Sequence, residues 1–198
     1  MKKIVGLIVV SFLFREVNAQ NKMSDCIKNT FMHMDSIDKP GTNPFEVWKT
    51  CVLEKPMPDF VCTSMNGDII QLSKLKGKIV VINFWFIDCH PCIAELPGLN
   101  KIVKDYKANE VVFLAITWET SQRLSKDFFP ERTLDFIIIP DARLVIDKVA
   151  GSGYPTTYVI DRNGIIKEVW NGGSIDEKAG AEFYEKAKPA IDKLLKAE

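Results

Sequence analysis

Neither sign of charge is in excess in this chain of 198 residues, because 26 lysines and arginines balance 26 aspartates and glutamates. A nucleic-acid partner is therefore not expected, since phosphate binding needs a basic surplus or a basic face. The chain is 46% hydrophobic and 26% charged, which excludes global disorder, collagen and a coiled coil. The sequence has no repeats, and its length suits one domain with additions rather than two full domains.

Cysteine and histidine are both scarce. Five cysteines are too few for a disulfide scaffold, yet each of them needs an explanation. A zinc site built on Cys89 and Cys92 would need two more ligands at suitable spacing. His90 lies between these two cysteines and is badly placed to join them on one metal, and His33 has no partner at ligand spacing. We therefore predict neither a metal nor a cofactor.

Long apolar runs are absent except at the N-terminus. Lys2 and Lys3 precede an apolar run over residues 4–14, and Ala19 is a small residue suited to cleavage. This pattern is typical of a secretory signal peptide, and the run is too short for a permanent transmembrane helix. An uncleaved amphipathic anchor is the alternative. We predict a signal peptide over residues 1–19 and a mature protein that is periplasmic or otherwise extracytoplasmic, where disulfides persist.

The mature chain divides into an N-terminal extension, residues 20–56, and a main domain, residues 57–198. The extension has few strand signals, and we expect helices over residues 23–37 and 45–53, on either side of a Pro/Gly-rich breaker. In the main domain, apolar strand patterns alternate with amphipathic helix patterns, which predicts an α/β sandwich with a mixed central sheet and helices on both faces. Strands are expected at residues 59–62, 68–72, 78–85, 111–116, 136–139, 156–160 and 165–170, and helices at residues 91–108, 120–129, 142–150 and 176–196. Asn66-Gly67 predicts a type I′ turn between the first two strands.

The most informative motif is Cys89-His90-Pro91-Cys92, which follows a buried strand and opens a helix. A sulfur at a helix N-terminus is stabilised as a thiolate by unpaired N–H groups and the helix dipole. Two intervening residues let the sulfurs reach each other, so the pair can cycle between dithiol and disulfide. We expect Cys89 to be the exposed nucleophile and Cys92 the resolving thiol. Half of a zinc site and an inert structural disulfide are the alternatives.

These motifs resemble those of the thioredoxin superfamily: Phe84-Trp85 before the CxPC, and Gly153-Tyr154-Pro155-Thr156 before a later strand. More closely, the chain resembles the TlpA/ResA-like branch of secreted thiol-disulfide oxidoreductases. The segments that carry this closer resemblance are residues 58–60, 72–78, 81–85 and 95–97. The resemblance implies a thioredoxin-like three-layer sandwich from about residue 57 to residue 196.

The resemblance also implies roles for residues around the cysteines. Pro155 matches the cis-proline of the superfamily, which brings its loop to the sulfurs and presents the Tyr154 backbone to a substrate; an ordinary strand-entry proline is the alternative. We expect Trp85, His90 and Pro91 to contact the substrate as well.

Acid–base chemistry is expected from Glu95, which shares a helix face with Cys92 at i and i+3. In the branch that the chain resembles, this carboxyl group can shuttle the proton of the resolving thiol; a solvated helix charge is the alternative. Thioredoxins proper have a buried Asp where this chain has Asn83. Asp88 is a departure, since a carboxylate beside Cys89 disfavours its thiolate, whereas a protonated His90 would favour it.

The leading functional hypothesis is an enzyme that reduces disulfides of client proteins and draws electrons from a membrane thiol donor, as the resemblance implies. A thiol peroxidase is disfavoured because Phe86 stands three residues before Cys89, where such enzymes carry Thr or Ser. A non-catalytic binding module would act without Cys89 and Cys92. Copper delivery would need a histidine near the cis-proline. The sequence does not fix the client, the direction of electron flow or the oligomeric state.

Three cysteines lie outside the CxxC motif. In an oxidising compartment, the simplest pairing is Cys26–Cys51, which would join the two helices of the extension and leave Cys62 free and buried in the hairpin. Cys51–Cys62 is the alternative pairing.

Overall fold

A computed structural model of the chain describes Met23, Asp25, Cys26 and Lys28, and then residues 43–106, 108, 110–149 and 153–197. Three features of the sequence lie outside the described residues: the predicted signal peptide over residues 1–19, His33, and most of the helix expected over residues 23–37. The four described positions between residues 23 and 28 are helical. Within the described part of the chain, no helix is long and apolar enough to cross a bilayer.

A five-stranded mixed sheet forms the centre of the fold. Its strands are β3 (Ile79–Phe84), β4 (Val111–Ile116), β5 (Ile137–Ile139), β6 (Thr156–Ile160) and β7 (Ile166–Asn171). Their order across the sheet is β5-β4-β3-β6-β7. β3 pairs in parallel with β4, and β4 with β5, whereas β6 is antiparallel to both β3 and β7. Every residue of β3, β4 and β6 is buried, as expected for strands covered on both faces.

Alternate side chains of the sheet enter two separate cores, so the molecule has three layers. Val80, Ile82 and Phe84 of β3 join one core, and Ile79 and Val81 join the other. The first core also contains residues of α1 (Pro44–Val52) and α5 (Arg143–Val149), and the second contains residues of α3 (Leu96–Lys104) and α6 (Ala179–Lys196). The predicted three-layer thioredoxin-like sandwich is thereby confirmed.

Two expected helices are irregular. The helix predicted over residues 91–108 is divided at Glu95 into α2 (His90–Ala94) and α3. Pro97 explains the division, because it has no N–H to continue the α-helical hydrogen-bond ladder. The helix predicted over residues 120–129 begins as α4 (Ser121–Arg123), capped by Thr120, and continues as a π-helix over Leu124–Phe128.

A small hairpin of β1 (Val61–Thr63) and β2 (Ile69–Gln71) stands apart from the main sheet and leads into a 3-10 helix, Leu72–Leu75. The predicted type I′ turn is wrong, because Gly67 has a positive φ but Asn66 does not. Instead, Gly67 N–H donates to Ser64 O and Ser64 N–H to Asp68 O. This is the pattern of a three-residue loop with a left-handed glycine at its end.

A disulfide holds the N-terminal extension together, and backbone hydrogen bonds join the extension to the main domain. Cys26 and Cys51 form a disulfide, as predicted, and the alternative Cys51–Cys62 pairing is wrong. Cys62 is free but only half-buried, not buried as expected. After α1, Glu54 N–H donates to the carbonyl of Ile166 in β7. The chain between α1 and β1 thereby covers the outer edge of β7 and protects it from pairing with other strands.

Candidate active site

The carboxyl ends of β3 and β4 and the start of β6 lie at one edge of the sheet, because Phe84 is paired with both Ile116 and Thr156. The CxxC segment follows β3 at this edge, and the loop that contains Pro155 leads into β6 from the same edge. Residues that are 65 or more positions apart in the sequence, such as Cys89 and Tyr154, are therefore brought to one place by the strand order.

Cys89 is the N-cap of α2 and forms a disulfide with Cys92 in its first turn. The sulfur of Cys89 also accepts a hydrogen bond from the backbone N–H of Cys92 at 3.3 Å. An N–H donor stabilises a thiolate more than a neutral sulfur, so this contact favours the nucleophilic form of Cys89. Cys89 is only 5% exposed and Cys92 2%. The expectation that Cys89 is exposed is wrong for the disulfide form, because its side chain packs into the core that contains α3 and α6.

The Tyr154–Pro155 peptide bond is cis, as the sequence predicts. The carbonyl of Pro155 accepts hydrogen bonds from Gly172 N–H at 2.8 Å and from the Asn171 side chain at 3.3 Å. The Asn171 amide also donates to Thr156 Oγ1 at 2.8 Å. The end of β7 therefore holds the proline loop in place.

An aromatic cluster of Phe86, Trp118 and Tyr154 lies at the same edge of the sheet. Its ring centroids are 4.7 Å apart for Phe86 and Trp118, 5.4 Å for Phe86 and Tyr154, and 4.9 Å for Trp118 and Tyr154. All three side chains are half-buried, so part of each ring is open to solvent. Burial raises the pKa of Tyr154 to about 12, with a smaller opposing effect of Arg143 and a further increase from Asp147. Tyr154 is therefore a neutral, partly apolar surface at physiological pH.

Trp118 is a site residue that sequence reasoning missed. The signal was present, since an aromatic residue stands two positions after the carboxyl end of the buried strand β4. Trp85, by contrast, is not at the surface as a substrate contact would be. It is buried and packs against Phe128, with ring centroids 4.7 Å apart, in the same core as Cys89 and Cys92. His90 is exposed and Pro91 half-buried, which is compatible with substrate contact.

Glu95 is a buried carboxyl group at the junction of α2 and α3, 3% exposed. Burial raises its pKa to about 8, while Lys186 lowers and Glu182 raises the pKa by smaller amounts. Its Oε2 has no hydrogen-bond partner among the described residues. The carboxyl group of Glu95 lies against Gly173. A Cβ at residue 173 would be only 2.7 Å from Glu95 Oε1, so a larger residue there would displace the carboxyl group. A group with this pKa can both accept and donate a proton near neutral pH.

Asn83 is buried in β3 and donates from Nδ2 to Thr157 Oγ1 at 2.9 Å. An amide does not titrate, so Asn83 cannot supply acid–base chemistry at this position, whereas Glu95 has a buried carboxyl group at the end of the helix that contains Cys92. In the part of the chain that the structure describes, no cluster of three or more His, Cys, Asp or Glu side chains is arranged to hold a metal ion.

Comparison with known proteins points to one family. The sequence pattern of the AhpC/TSA family matches residues 53–169. The chain is 35% identical to the thiol-disulfide oxidoreductase ResA of Halalkalibacterium halodurans over 132 residues, which cover 66% of this chain and 74% of that protein. It is 31% identical to the thioredoxin-like protein YneN of Bacillus subtilis over 118 residues, which cover 58% of this chain and 69% of that protein.

Solved structures show the same fold. The thiol:disulfide interchange protein of the thioredoxin family from Chlorobium tepidum superposes with a TM-score of 0.56 at 24% identity, over 69% of this chain and 95% of that one. The family pattern and the two relatives show that this chain is similar to known proteins in sequence as well as in fold. The chain therefore belongs to the AhpC/TSA family, and within the thioredoxin superfamily it is a thiol-disulfide oxidoreductase of the TlpA/ResA-like type.

Proposed function

We propose that Cys89 and Cys92 are the redox centre of this oxidoreductase and that the enzyme reduces disulfides of client proteins outside the cytoplasm. The observation that carries the proposal is the Cys89–Cys92 disulfide at the start of α2, with the Cys92 N–H directed at the sulfur of Cys89. The location is supported by the predicted signal peptide and by the Cys26–Cys51 disulfide, which persists in oxidising compartments.

The reaction begins from the dithiol form. The Cys89 thiolate attacks one sulfur of the client disulfide, a mixed disulfide forms, and the other client sulfur leaves as a thiolate. Cys92 then loses its proton and attacks the sulfur of Cys89. The second client thiolate leaves, and the enzyme is left with the Cys89–Cys92 disulfide. A membrane thiol donor returns two electrons and restores the dithiol.

Glu95 is proposed as the base that takes the proton of Cys92 in the second step. It is three residues beyond Cys92, at the end of the same helix, and its pKa of about 8 suits proton transfer near neutral pH. Client proteins are proposed to bind over the aromatic cluster of Phe86, Trp118 and Tyr154, since aromatic side chains supply large contact areas at protein interfaces. This cluster borders both the CxxC loop and the cis-proline loop.

The direct test uses Cys89→Ser and Cys92→Ser variants with a disulfide-bonded protein as substrate. We expect both variants to lose reductase activity, and Cys92→Ser to accumulate a mixed disulfide with the substrate through Cys89. The control is the Cys62→Ser variant, which should keep its activity because Cys62 is on the separate hairpin. No reductase activity in the unsubstituted protein, together with client binding that neither substitution weakens, would instead favour the non-catalytic binding module.

A thiol peroxidase is the other enzymatic candidate. Phe86 disfavours it, because a side chain without a hydroxyl group stands three residues before Cys89. Consumption of hydrogen peroxide by the reduced protein separates the two candidates. We expect slow consumption, comparable to that of an ordinary thiol, together with rapid reduction of a protein disulfide.

A further inference from the structure

Arg123 forms ion pairs with two carboxylates: that of Asp88, the residue before Cys89, and that of Glu119, which is buried in the connection after β4. Arg123 Nη2 lies 2.8 Å from Asp88 Oδ2, and Arg123 Nη1 lies 2.8 Å from Glu119 Oε2. The other oxygen of Glu119 accepts the backbone N–H of Ile87 at 3.3 Å. Asp88 and Ile87 both belong to the loop that ends at Cys89, so this loop is held by Arg123 and Glu119 together.

The position of Arg123 is itself fixed by local structure. Its backbone N–H donates to the side chain of Thr120, the N-cap of α4, at 3.1 Å. Glu119 is buried, and its backbone N–H donates to Thr117 Oγ1 at 3.2 Å. The hydrogen bond to Asp88 and then the charge of Glu119 raise the pKa of Arg123, so the guanidinium remains charged throughout the working pH range.

Asp88 should oppose ionisation of Cys89, because a nearby negative charge disfavours a thiolate. The ion pair with Arg123 offsets this effect. The charged or titratable groups around Cys89 are its neighbours Asp88 and His90, Glu119 and Arg123 from the connection after β4, and Glu95 at the end of α2. Arg123 is the only permanently charged cation in this set.

We propose that Arg123 is a positioning residue that neutralises Asp88 and thereby sets the thiolate fraction of Cys89 and the redox poise of the Cys89–Cys92 pair. The inference rests on the proposed function, in which Cys89 is the nucleophile. Loss of the arginine leaves the carboxylate of Asp88, the residue before Cys89, without its cation, which decreases the thiolate fraction of Cys89. Since a stabilised thiolate stabilises the dithiol form, the disulfide of such a variant becomes harder to reduce. Loss of the Asp88 charge has the opposite effect.

The test measures the pH dependence of Cys89 alkylation by iodoacetamide in the reduced Cys92→Ser protein. We expect Arg123→Ala to lower the alkylation rate at neutral pH about threefold to tenfold and Asp88→Asn to raise it by a similar factor. Arg123→Lys should restore most of the rate, because it retains the charge. The control is Arg132→Ala, which removes an arginine paired only with Glu131 among the described residues.

Asp88→Asn keeps the test valid even where Arg123→Ala weakens the fold by leaving Glu119 buried and unpaired. The Asp88 side chain is 70% exposed, so its substitution should not affect folding, and its effect should shrink in concentrated salt. The inference would be overturned if the pH profile of alkylation did not change in Asp88→Asn. It would also be overturned if Asp88→Asn and Arg123→Ala changed the alkylation rate in the same direction. Neither result would contradict Cys89 as the nucleophile. A Cys89 that does not react in any variant would instead contradict the proposed function.

The same substitutions can also be tested in the protein that retains both Cys89 and Cys92. With Cys92 present, the equilibrium constant for oxidation by glutathione should rise about threefold to tenfold in Arg123→Ala and fall by a similar factor in Asp88→Asn. An equilibrium constant that does not change in Asp88→Asn, where the alkylation rate does, would contradict the link between Arg123 and redox poise.

Discussion

The backbones of Gly98 in α3 and Gly180 in α6 are in direct contact. A Cβ placed on Gly98 would lie 2.0 Å from the carbonyl oxygen of Gly180, and one placed on Gly180 would lie 2.9 Å from Gly98 N. Since α3 continues from the helix that carries the cysteines, this contact fixes α6 against the active-site layer.

The Gly98→Ala substitution is therefore expected to destabilise the protein. The added methyl group meets backbone atoms that cannot rotate away, so the two helices must separate. We predict a loss of about 3 kcal/mol in the free energy of unfolding, at the upper end of overpacking effects. Urea denaturation measures this change, with Lys104→Ala in the same helix as the control. If Gly98→Ala lost less free energy of unfolding than Lys104→Ala, the two helices would be farther apart than the structure indicates.

Glu95 makes stability depend on pH in a definite direction. Its pKa is about 8 in the folded protein and 4.5 without burial, so the folded state holds a proton that the unfolded state releases. Stability should therefore fall as the pH rises from about 4.5 to about 8, by ~1.4 kcal/mol per unit of pKa difference. We predict that Glu95→Gln is the more stable protein at pH 9, by a few kcal/mol, and that this advantage shrinks towards pH 5.

Urea denaturation of both proteins at pH 5, 7 and 9 tests this prediction. Glu182→Gln is the control, because it removes a half-buried carboxyl group near the same site. An advantage of Glu95→Gln that does not vary with pH would show that Glu95 is already charged at pH 5.

The disulfide in the N-terminal segment should contribute stability without taking part in the reaction. Cys26 and Cys51 are 25 residues apart, and closing a loop of this length stabilises a fold by about 3 kcal/mol. Their side chains pack with the core on the opposite face of the sheet from that of Cys89. We predict that the Cys26→Ala/Cys51→Ala protein has a lower Tm and unchanged reductase activity at 25 °C. A loss of activity in the folded double variant would assign this disulfide to the catalytic cycle.

Trp118 should matter for protein clients and not for small thiols. We predict that Trp118→Ala raises KM for a disulfide-bonded protein about fivefold or more, because part of the aromatic contact surface is lost. The rate of reaction with dithiothreitol should stay the same, since a small reagent does not need this surface. Ile69→Ala is the control, as Ile69 is exposed on the separate β1–β2 hairpin. Equal effects on both substrates would place Trp118 in the structural core of the site.

The sequence predicted most accurately those features that depend on local pattern. β4 and β6 have the predicted bounds, because uninterrupted apolar residues between turn signals define a buried strand. The break at Glu95 was missed, although Pro97 is visible in the sequence, because the apolar stripe continues through both α2 and α3. The type I′ prediction failed because Asn-Gly also occurs where only the glycine is left-handed.

Relationships between distant residues could not be predicted from pattern. Arg123 and Asp88 are 35 positions apart and meet because β3 and β4 end at the same edge of the sheet. Without this strand order, the net effect of Asp88 and His90 on the ionisation of Cys89 could not be given a sign. The same limit applies to Trp85, since its position four residues before Cys89 suggested a surface contact, whereas its packing against Phe128 is a property of the folded core.

The most direct test of the central claim is the reduction potential of the Cys89–Cys92 pair. The purified mature protein would be equilibrated in glutathione and dithiothreitol buffers, and the fraction of dithiol would be measured by alkylation. We predict a reversible two-electron couple at about −270 mV or lower, as expected for a reductant. A couple near about −120 mV would contradict the proposed direction of electron flow, and the absence of any reversible couple would contradict the assignment of Cys89 and Cys92 as the redox centre.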